Sequence, residues 1–385
     1  MDGQPMVKAQ NGAEQKFPIE MKAAIVPAAN SEFEMASVHL SAPLENEVLV
    51  KIVATGICHT DLSVQAGELP TALPAILGHE GAGIVESVGS NVTEVAPGDH
   101  VVLGFLSCGE CRPCSSGHPA ACADFGALCF GGARPDGSHA VSGADGTVLS
   151  DRFFGQSSFA PFAIADKRCV VKVRTDVQLD LLGPLGCGIM TGAGAVWNAL
   201  SVTPGTSFAV FGSGAVGLGA AMAARVAGAT IIVCIDTVPS RLELAKELGA
   251  THVIDARSDD VAGQVFAATG HGVDAALDTT GRADGLAGAV QALAQRGRLA
   301  VVANSDAAGE HKLPLMDMIM GSKSIIGVVE GGTSAQDLVP KLIDLFAEGR
   351  FPFDRLVKFY SADQINQAAA DSLSGKIIKP IIRFD

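Results

Sequence analysis

Two cysteines and a histidine, widely separated along the chain, are residue types that suit a metal acting on a substrate. Cys58 lies 21 residues before His79, which belongs to the run GHEGAG, and Cys187 lies far downstream. Two thiolates and an imidazole suit zinc, and a catalytic zinc site leaves its fourth position to water or substrate. Taken singly, each residue is more ordinarily a hydrogen-bonded histidine or a buried cysteine, so the hypothesis depends on the run around His79.

A second group of cysteines has a much tighter spacing. The run CGECRPCSSGHPAAC forms a CxxCxxCx7C array of Cys108, Cys111, Cys114 and Cys122. Four thiolates can close a tetrahedral site around one zinc, and a closed site has a structural role because no position is left for substrate. An iron–sulfur cluster is the alternative, but the chain has no other ferredoxin-like feature. We predict a structural-zinc lobe near residues 105–125.

A glycine-rich turn in the second half has the spacing of a dinucleotide-binding site. Gly212, Gly214 and Gly217 form GxGxxG between a predicted strand and a predicted helix. Backbone N–H groups at such a helix N-terminus can bind a pyrophosphate. Asp236 follows 19 residues after the third glycine, and a carboxylate there binds ribose hydroxyls and repels a 2′-phosphate. The pattern favours NAD over NADP, although Arg241 could accommodate that phosphate.

The elements that must position these residues change character along the chain. From Met21 to about Val53, short β-rich runs alternate with turns, which is typical of an antiparallel or barrel-like domain. From Ser207, strands and helices alternate through six strands, which predicts a doubly wound parallel sheet. Two amphipathic helices and a β-rich tail end the chain. The predicted boundaries are 1–188 for the β-rich part, 189–329 for the cofactor domain and 330–385 for the C-terminal part.

Two further stretches carry local predictions. The five glycines between 183 and 194 predict a poor regular helix and a flexible or closely packed crossing between domains. The apolar stretch 214–235 could be mistaken for a membrane span, but Gly228 divides it into a helix and a buried strand.

Length and composition limit the classes of function. The 385 residues exceed one compact core, so about two domains are expected. With 48% hydrophobic and 18% charged residues, the chain has a folded composition. The net charge of −14 contains no basic stripe, which argues against nucleic-acid partners. Nine cysteines, an odd number, and a polar start without a secretory signal favour a reducing cytoplasm over disulfides.

Together these motifs resemble those of zinc-dependent medium-chain alcohol dehydrogenases. GHE followed by Gly83, Gly89 and Val92 resembles that family's signature, and the four-cysteine lobe occupies the family's position. The runs FFGQSSFAPFAIA and LLGPLGCGIMTGAGAV resemble corresponding regions of bacterial aryl, or benzyl, alcohol dehydrogenases. The phenylalanines of the first run could equally be core residues. The resemblance covers Met21 to the end and implies a GroES-like catalytic domain, a Rossmann cofactor domain and a tail that returns to the catalytic domain.

The resemblance also implies roles for single residues. Cys58, His79 and Cys187 would hold the catalytic zinc, with Glu80 beside the metal. Lys379 would bind the cofactor pyrophosphate, although a surface lysine is the ordinary alternative. Arg241 stands where the family has a basic residue beside the adenosine ribose, and the four-cysteine lobe would hold the second zinc.

The loop after Cys58 carries further candidates. Thr60 would begin a proton relay, His59 would contact the cofactor phosphates, and Asp61 could hold the other ring nitrogen of the histidine ligand. Ordinary turn chemistry would also explain Thr60 and Asp61. One departure is that Ser63 stands where the best-known members have a relay histidine, so the proton must leave through His59, the cofactor ribose or water.

The expected function is the reversible, zinc-dependent oxidation of a primary alcohol, aromatic or allylic, with hydride transfer to NAD. Zinc would act as a Lewis acid that lowers the pKa of the alcohol. We expect two zinc ions per chain, a small-molecule substrate, no membrane partner and a homodimer or homotetramer. Alternatives are glutathione-dependent formaldehyde or polyol oxidation, a zinc-free quinone or enone reductase, and a non-enzymatic nucleotide-binding protein.

Overall fold

The computed structural model describes residues 16–303 and 311–384 and divides into two compact units. The first unit runs to Cys187 and also contains Ser334–Ile343 and the chain from Leu356 onward. The second unit contains Gly188–Thr333 and Asp344–Arg355. Most of the polar N-terminal arm therefore lies outside the described residues.

The secondary structure is numbered in chain order. The strands are β1 (Ile19–Val26), β2 (Glu34–Leu40), β3 (Glu47–Gly56), β4 (Ala75–Ile76), β5 (Gly81–Val88), β6 (His100–Leu103), β7 (Val141–Gly143), β8 (Phe162–Asp166), β9 (Val170–Lys172), β10 (Ser207–Phe211), β11 (Ile231–Asp236), β12 (His252–Asp255), β13 (Val273–Asp278), β14 (Leu293–Val301), β15 (Ser324–Gly327), β16 (Val357–Ser361) and β17 (Lys379–Arg383). The α-helices are α1 (His59–Gln65), α2 (Arg112–Ser115), α3 (Phe125–Phe130), α4 (Gly188–Gly194), α5 (Ala215–Val226), α6 (Pro239–Leu248), α7 (Val261–Thr269), α8 (Ala283–Ala292), α9 (Leu315–Gly321), α10 (Ala335–Ala347) and α11 (Ile365–Leu373).

The first unit is β-rich and mainly antiparallel. Its described strands form one sheet in the order β4-β1-β2-β7 and another in the order β16-β17-β3-β5-β6-β9, with β8 also paired to β3. Strand β3 is buried over most of its length because neighbours cover it on both edges. Strand β17 pairs antiparallel with β3, so the end of the chain completes a sheet begun near its start.

Two short connections in this unit turn tightly. Strand β3 ends at Gly56 and α1 begins at His59, so Cys58 lies in the connection between them. Gly78 has a φ of 89°, and a side chain there would collide with the ring and backbone of Phe159. The glycine of the GHE run is therefore required by both conformation and space.

The second unit is a doubly wound parallel sheet, as the alternating pattern predicted. Its described strands have the order β12-β11-β10-β13-β14-β15, and every pair is parallel. All five residues of β10 are buried, which is expected for a central strand covered by helices on both faces. The expected architecture, a β-rich domain and a doubly wound parallel-sheet domain, is thereby confirmed.

Two local expectations differ from the structure. The glycine-rich segment contains a regular helix, α4, and all of its residues are buried. A side chain at Gly192 would meet the Val216 carbonyl, so close packing against α5 outweighs the poor helix propensity of glycine. The segment 344–355, expected in the C-terminal part, belongs to the second unit, where Arg355 pairs with Glu247 at 2.5 Å.

The apolar stretch 214–235 is divided between α5 and β11. Within the described ranges, the structure contains no helix with the length and apolarity that a membrane crossing needs.

A buried ion-pair group fixes the start of β3. Glu47 accepts hydrogen bonds from Arg134 Nε at 2.8 Å and Arg134 Nη2 at 3.0 Å, and it also pairs with Arg152. All three side chains are at least nine-tenths buried. Removal of one member of such a group leaves uncompensated buried charge.

We expect Glu47→Ala to lower the free energy of unfolding of the first unit by about 3–5 kcal/mol, because two buried guanidinium groups lose their carboxylate. Urea denaturation followed by circular dichroism measures this loss. The exposed neighbour provides the control, since Glu45→Ala should change the stability by no more than about 0.5 kcal/mol. Equal effects of the two substitutions would contradict a structural role for the ion-pair group.

Candidate functional site

Four side chains from separate parts of the first unit converge at one point. The ligand atoms of Cys58, His79, Glu80 and Cys187 all lie within 4.8 Å of one another. Cys58 precedes α1, His79 and Glu80 precede β5, and Cys187 follows a short 3₁₀ turn. The structure thus brings together the three predicted ligands of the open zinc site and the glutamate predicted beside it.

The histidine of this cluster is oriented by a buried carboxylate. Nδ1 of His79 lies 3.0 Å from Oδ1 of Asp61, while Nε2 is buried and has no hydrogen-bond partner among the described residues. Asp61 also accepts hydrogen bonds from the N–H groups of Cys58 at 2.9 Å and Gly78 at 3.0 Å. A buried imidazole nitrogen without a partner, close to two thiols, fits a zinc ligand whose other nitrogen is held by a carboxylate.

The fourth member of the cluster is paired with a buried lysine. Lys379 is only 2% exposed, and its ammonium donates to Oε1 of Glu80 at 2.8 Å, Oε2 at 2.9 Å and the carbonyl of Ile57 at 3.1 Å. Both carboxylate oxygens of Glu80 are therefore hydrogen-bonded to a cation. The other ligand atoms of the cluster are two thiols and one imidazole. A contact between Lys379 and a cofactor pyrophosphate remains a prediction, and it would require the ammonium to give up one of these three bonds.

Burial and local charges shift the protonation of the ligands in opposite directions. Burial opposes the charged imidazole most strongly, but the Asp61 carboxylate outweighs it and raises the pKa of His79 well above its usual value. The Cys187 side chain, assisted by His79, lowers the pKa of the Cys58 thiol well below its usual value against the effect of burial. Cys58 is therefore poised as a thiolate, whereas zinc must compete with a proton for His79.

The loop and helix after Cys58 hold the remaining candidates. Thr60 Oγ1 lies 3.7 Å from Cys58 Sγ, and His59 is exposed. Ser63, which stands where the best-known members of the resembling family have a relay histidine, donates a hydrogen bond to Glu68 Oε2 at 2.9 Å. Among these residues, Thr60 lies beside a metal-ligand candidate, while His59 and Ser63 lie toward the surface on the same helix.

Aromatic rings surround the imidazole of the cluster. The ring of Phe154 stacks on His79 with a centroid distance of 4.5 Å and an interplanar angle of 22°, and Phe153 meets its edge at 5.2 Å. Phe125 and Phe130 pack edge-on against Phe154. Phe153 and Phe154 of the FFGQSSF run are therefore core residues that border the metal-ligand cluster.

The four closely spaced cysteines form a compact lobe. The Sγ atom of Cys114 lies 3.8 Å from that of Cys108 and 3.4 Å from that of Cys111, and Cys122 Sγ lies 4.0 Å from Cys111 Sγ. The Ala123 N–H donates to Cys111 Sγ and lowers the pKa of that thiol to about 6. Four thiols around one point, with N–H groups directed at sulfur, fit a closed structural zinc site.

The glycine turn of the second unit follows β10 directly. Gly212 has a φ of 93°, and a side chain at Gly217 would collide with the Gly212 carbonyl. A Cβ atom at Gly214, the residue before α5, would meet no atom within 4 Å, so there is open space at this turn. Exposed backbone at the N-terminus of a 12-residue helix fits a pyrophosphate.

The acidic residue at the end of β11 lies beside this turn. Asp236 Oδ2 accepts the Ser213 N–H at 2.6 Å and lies 3.7 Å from Nη1 of Arg241. Nε of Arg241 is buried and has no hydrogen-bond partner in the described part of the chain. The carboxylate and the unsatisfied guanidinium nitrogen together fit the polar edge of an adenosine ribose.

Comparisons with known proteins agree with the folds of both units. Residues 44–175 match the model of the alcohol dehydrogenase GroES-like domain, and residues 215–348 match that of the zinc-binding dehydrogenases. A geraniol dehydrogenase of Castellaniella defragrans is 42% identical over 95% of this chain and 98% of its own length. The chain belongs to the zinc-dependent medium-chain alcohol dehydrogenases.

Solved structures support the same assignment. The benzyl alcohol dehydrogenase of Acinetobacter calcoaceticus is 48% identical and superposes with a TM-score of 0.92, covering 95% of this chain and all of that one. An alcohol dehydrogenase zinc-binding domain protein of Burkholderia ambifaria is 51% identical with a TM-score of 0.94, covering 95% and 99%. The protein is therefore an oxidoreductase of the zinc alcohol dehydrogenase class, with small-molecule substrates.

Sequence reasoning did not find every residue that supports this dehydrogenase's metal-ligand cluster. The amide of Gln156 binds the backbone on both sides of Glu80. Arg152, which pairs with Glu47, lies just before the loop that carries Gln156. The run FFGQSSF signalled a special loop, but a single sequence carries no sign that its glutamine is buried against residues 77 positions away.

We expect zinc affinity at the Cys58–His79–Cys187 cluster to rise with pH, because zinc requires neutral imidazole and Asp61 raises the pKa of His79. In Asp61→Asn, burial becomes the main influence on the pKa of His79 and lowers it. The midpoint of the curve of zinc affinity against pH should therefore move to lower pH. At high pH the variant should bind about 10–100-fold more weakly, since the imidazole loses its orienting partner. Competition with a chromogenic chelator across pH measures both effects.

The matched control is Asp151→Asn, which removes the carboxylate beside His139 at 3.2 Å in the same unit. This substitution should leave the zinc curve unchanged. A midpoint that stays in place in Asp61→Asn would contradict the role assigned to Asp61.

Proposed function

We propose that the protein oxidises an aromatic or allylic primary alcohol reversibly to the aldehyde, with hydride transfer to NAD and with two zinc ions per chain. In this proposal the first unit carries catalysis and the second binds the cofactor. The proposal rests on the convergence of Cys58, His79 and Cys187. The one carboxylate in this cluster, Glu80, is paired with Lys379. Three available ligands leave one coordination position for substrate.

The roles proposed for the protein's own groups follow from this geometry. With zinc and NAD bound, the reaction would draw on Lewis-acid polarisation of the alcohol hydroxyl and on hydride acceptance by the nicotinamide ring. Cys58, His79 and Cys187 would hold the catalytic zinc, while Asp61 keeps the imidazole in the tautomer that leaves Nε2 for metal. Lys379 would keep Glu80 from adding a fourth protein ligand.

The alcohol proton needs a separate route from the hydride. Thr60, beside Cys58, is the proposed first acceptor of that proton. His59 at the start of α1 and Ser63, which donates to Glu68, lie toward solvent, and we propose this side of the helix as the exit. His59 is also retained as the proposed contact to the cofactor phosphates.

The substrate class is supported by the similarity to two characterised types of dehydrogenase. The relatives named for geraniol and benzyl alcohol both act, by name, on primary alcohols with an adjacent unsaturated carbon. The alternative, a glutathione-dependent activity, is supported by similarity to an S-(hydroxymethyl)glutathione dehydrogenase of Synechocystis. That protein is 33% identical over 95% of this chain and all of its own length.

NAD is the proposed cofactor because a carboxylate such as Asp236, at the end of β11, would bind ribose hydroxyls and repel a 2′-phosphate. Gly212, Gly214 and Gly217 would receive the pyrophosphate, and Arg241 would contact the adenosine ribose. We also propose a cytoplasmic enzyme, since no disulfide joins any of its cysteines in the described residues and thiolate ligands persist in a reducing compartment.

The test is a panel of alcohols with NAD and NADP, followed by absorbance, together with metal analysis. We expect turnover of benzyl-type and terpenoid alcohols with NAD, weak turnover of short aliphatic alcohols and two zinc atoms per chain. Cys187→Ala should lose turnover and retain one zinc, because the four-cysteine lobe is untouched. Good turnover confined to short aliphatic alcohols, or activity requiring glutathione, would overturn the substrate class.

We also propose that the protein forms a homodimer or a larger homo-oligomer through the second unit. Strand β15 is an outer strand of the described sheet, and the neighbouring helix α9 exposes apolar side chains. Leu315, Met316, Ile319 and Met320 are each 65–74% exposed. An apolar helix face and a strand with one edge unpaired among the described residues fit a second copy related by a two-fold axis.

We expect Ile319→Glu to shift the protein to a smaller oligomer, because a carboxylate would be buried in that contact. Light scattering after size-exclusion chromatography measures the mass. Val148→Glu, at an equally exposed apolar residue of the first unit, should leave the mass unchanged. Retention of the wild-type mass by Ile319→Glu would exclude α9 from the interface.

A further inference from the structure

Gln156 is a buried amide whose hydrogen bonds all go to backbone groups near metal-ligand candidates. It is only 1% exposed. Its Nε2 donates to the carbonyls of His79 and Gly104, each at 2.9 Å, and its Oε1 accepts the N–H of Gly81 at 3.1 Å. Both amide hydrogens and the oxygen are thus used, and the backbone on both sides of Glu80 is tied to the segment after β6.

The loop that carries this amide is held in a strained conformation. Phe154 and Ser157 have φ values of 53° and 49°, which are uncommon for residues other than glycine. The Ser157 hydroxyl donates to the Ile76 carbonyl at 2.6 Å and accepts the Phe153 N–H at 2.9 Å. Strain of this kind persists only where surrounding contacts maintain it, and it is concentrated at functional sites.

The segment after β6 connects both candidate zinc sites. Gly104 immediately follows β6, and Cys108, the first cysteine of the lobe, lies four residues later. On the other side, a side chain at Gly186 would collide with the Leu103 carbonyl, so the backbone before Cys187 lies directly against the end of β6. A rigid link from His79 to this strand end therefore fixes His79 relative to Cys187.

We propose that Gln156 is a positioning residue for the catalytic zinc, because it fixes the His79 backbone against the strand end that borders Cys187 and leads into the four-cysteine lobe. This inference rests on the proposed zinc-dependent function. Gln156 does not touch zinc or substrate; it acts through the ligands. The site requires two donors and one acceptor in a single side chain, and an uncharged amide provides all three.

Two substitutions remove these bonds in different ways. Gln156→Met keeps a similar volume and leaves two carbonyls and one N–H of the buried backbone unsatisfied. Gln156→Glu keeps the acceptor for Gly81 but faces a carboxylate toward the carbonyls of His79 and Gly104. Gln65→Met is the control, since Gln65 donates to the Ser31 carbonyl at 2.8 Å in the same unit and contacts none of these segments.

The experiment measures zinc affinity by chelator competition, the visible spectrum after cobalt substitution, and kcat and KM at saturating zinc. We expect both Gln156 variants to retain the lobe zinc and to bind the catalytic zinc about 10–100-fold more weakly. The cobalt bands of the open site should shift, and kcat should fall while KM for the cofactor is unchanged. The Gln65→Met protein should match the wild type in every measurement.

If the Gln156 variants kept the wild-type zinc affinity and the wild-type cobalt bands, the inference would be overturned. If the wild-type protein held a single zinc, the proposed function would be overturned instead. If neither variant folds, hydrogen exchange of the wild type decides. Removal of the weaker-bound zinc should then speed exchange at residues 78–81 and 103–105 together. Faster exchange confined to 78–81 would show that the amide does not couple the two segments.

Discussion

The buried carboxylate of Asp61 is the interaction on which the metal-ligand cluster depends. It accepts hydrogen bonds from the backbone N–H groups of Cys58 and Gly78, and it lies within hydrogen-bond distance of Nδ1 of His79. Two segments that are distant in sequence are thus fixed to one side chain, with a thiol on one segment and an imidazole on the other. A fully buried carboxylate can remain ionised here because each of these partners donates a hydrogen bond to it or carries positive charge.

Other charges in the first unit obey the same constraint. Lys379 and Glu80 are buried together, and Glu47 is shared by two guanidinium groups. These pairs stabilise the fold less than apolar packing would, but the loss of one partner is strongly destabilising. They therefore specify geometry. Lys379 holds both carboxylate oxygens of Glu80 beside the cluster, and Arg152 precedes the strained loop in which Phe153 and Phe154 border His79.

The two candidate zinc sites differ in origin as well as in chemistry. The four-cysteine lobe comes from fifteen consecutive residues, and local turns with N–H groups directed at sulfur suffice to form it. The open cluster takes residues from three distant segments, so its geometry depends on the sheet around β3 and β5. The lobe therefore depends mainly on local chain geometry, whereas the open cluster is supported by Asp61, Lys379 and Gln156 from distant segments.

The sequence by itself determined the features that depend on local spacing. The alternation of strands and helices, the glycine turn after β10 and the array beginning at Cys108 predicted the Rossmann fold and a closed lobe, and the family assignment was confirmed. Only the tertiary structure decided that Gln156 ties His79 to β6, that Lys379 is buried against Glu80, and that α4 is a regular helix. These features depend on contacts between residues far apart in the chain, where packing and desolvation outweigh local propensity and leave no periodic pattern.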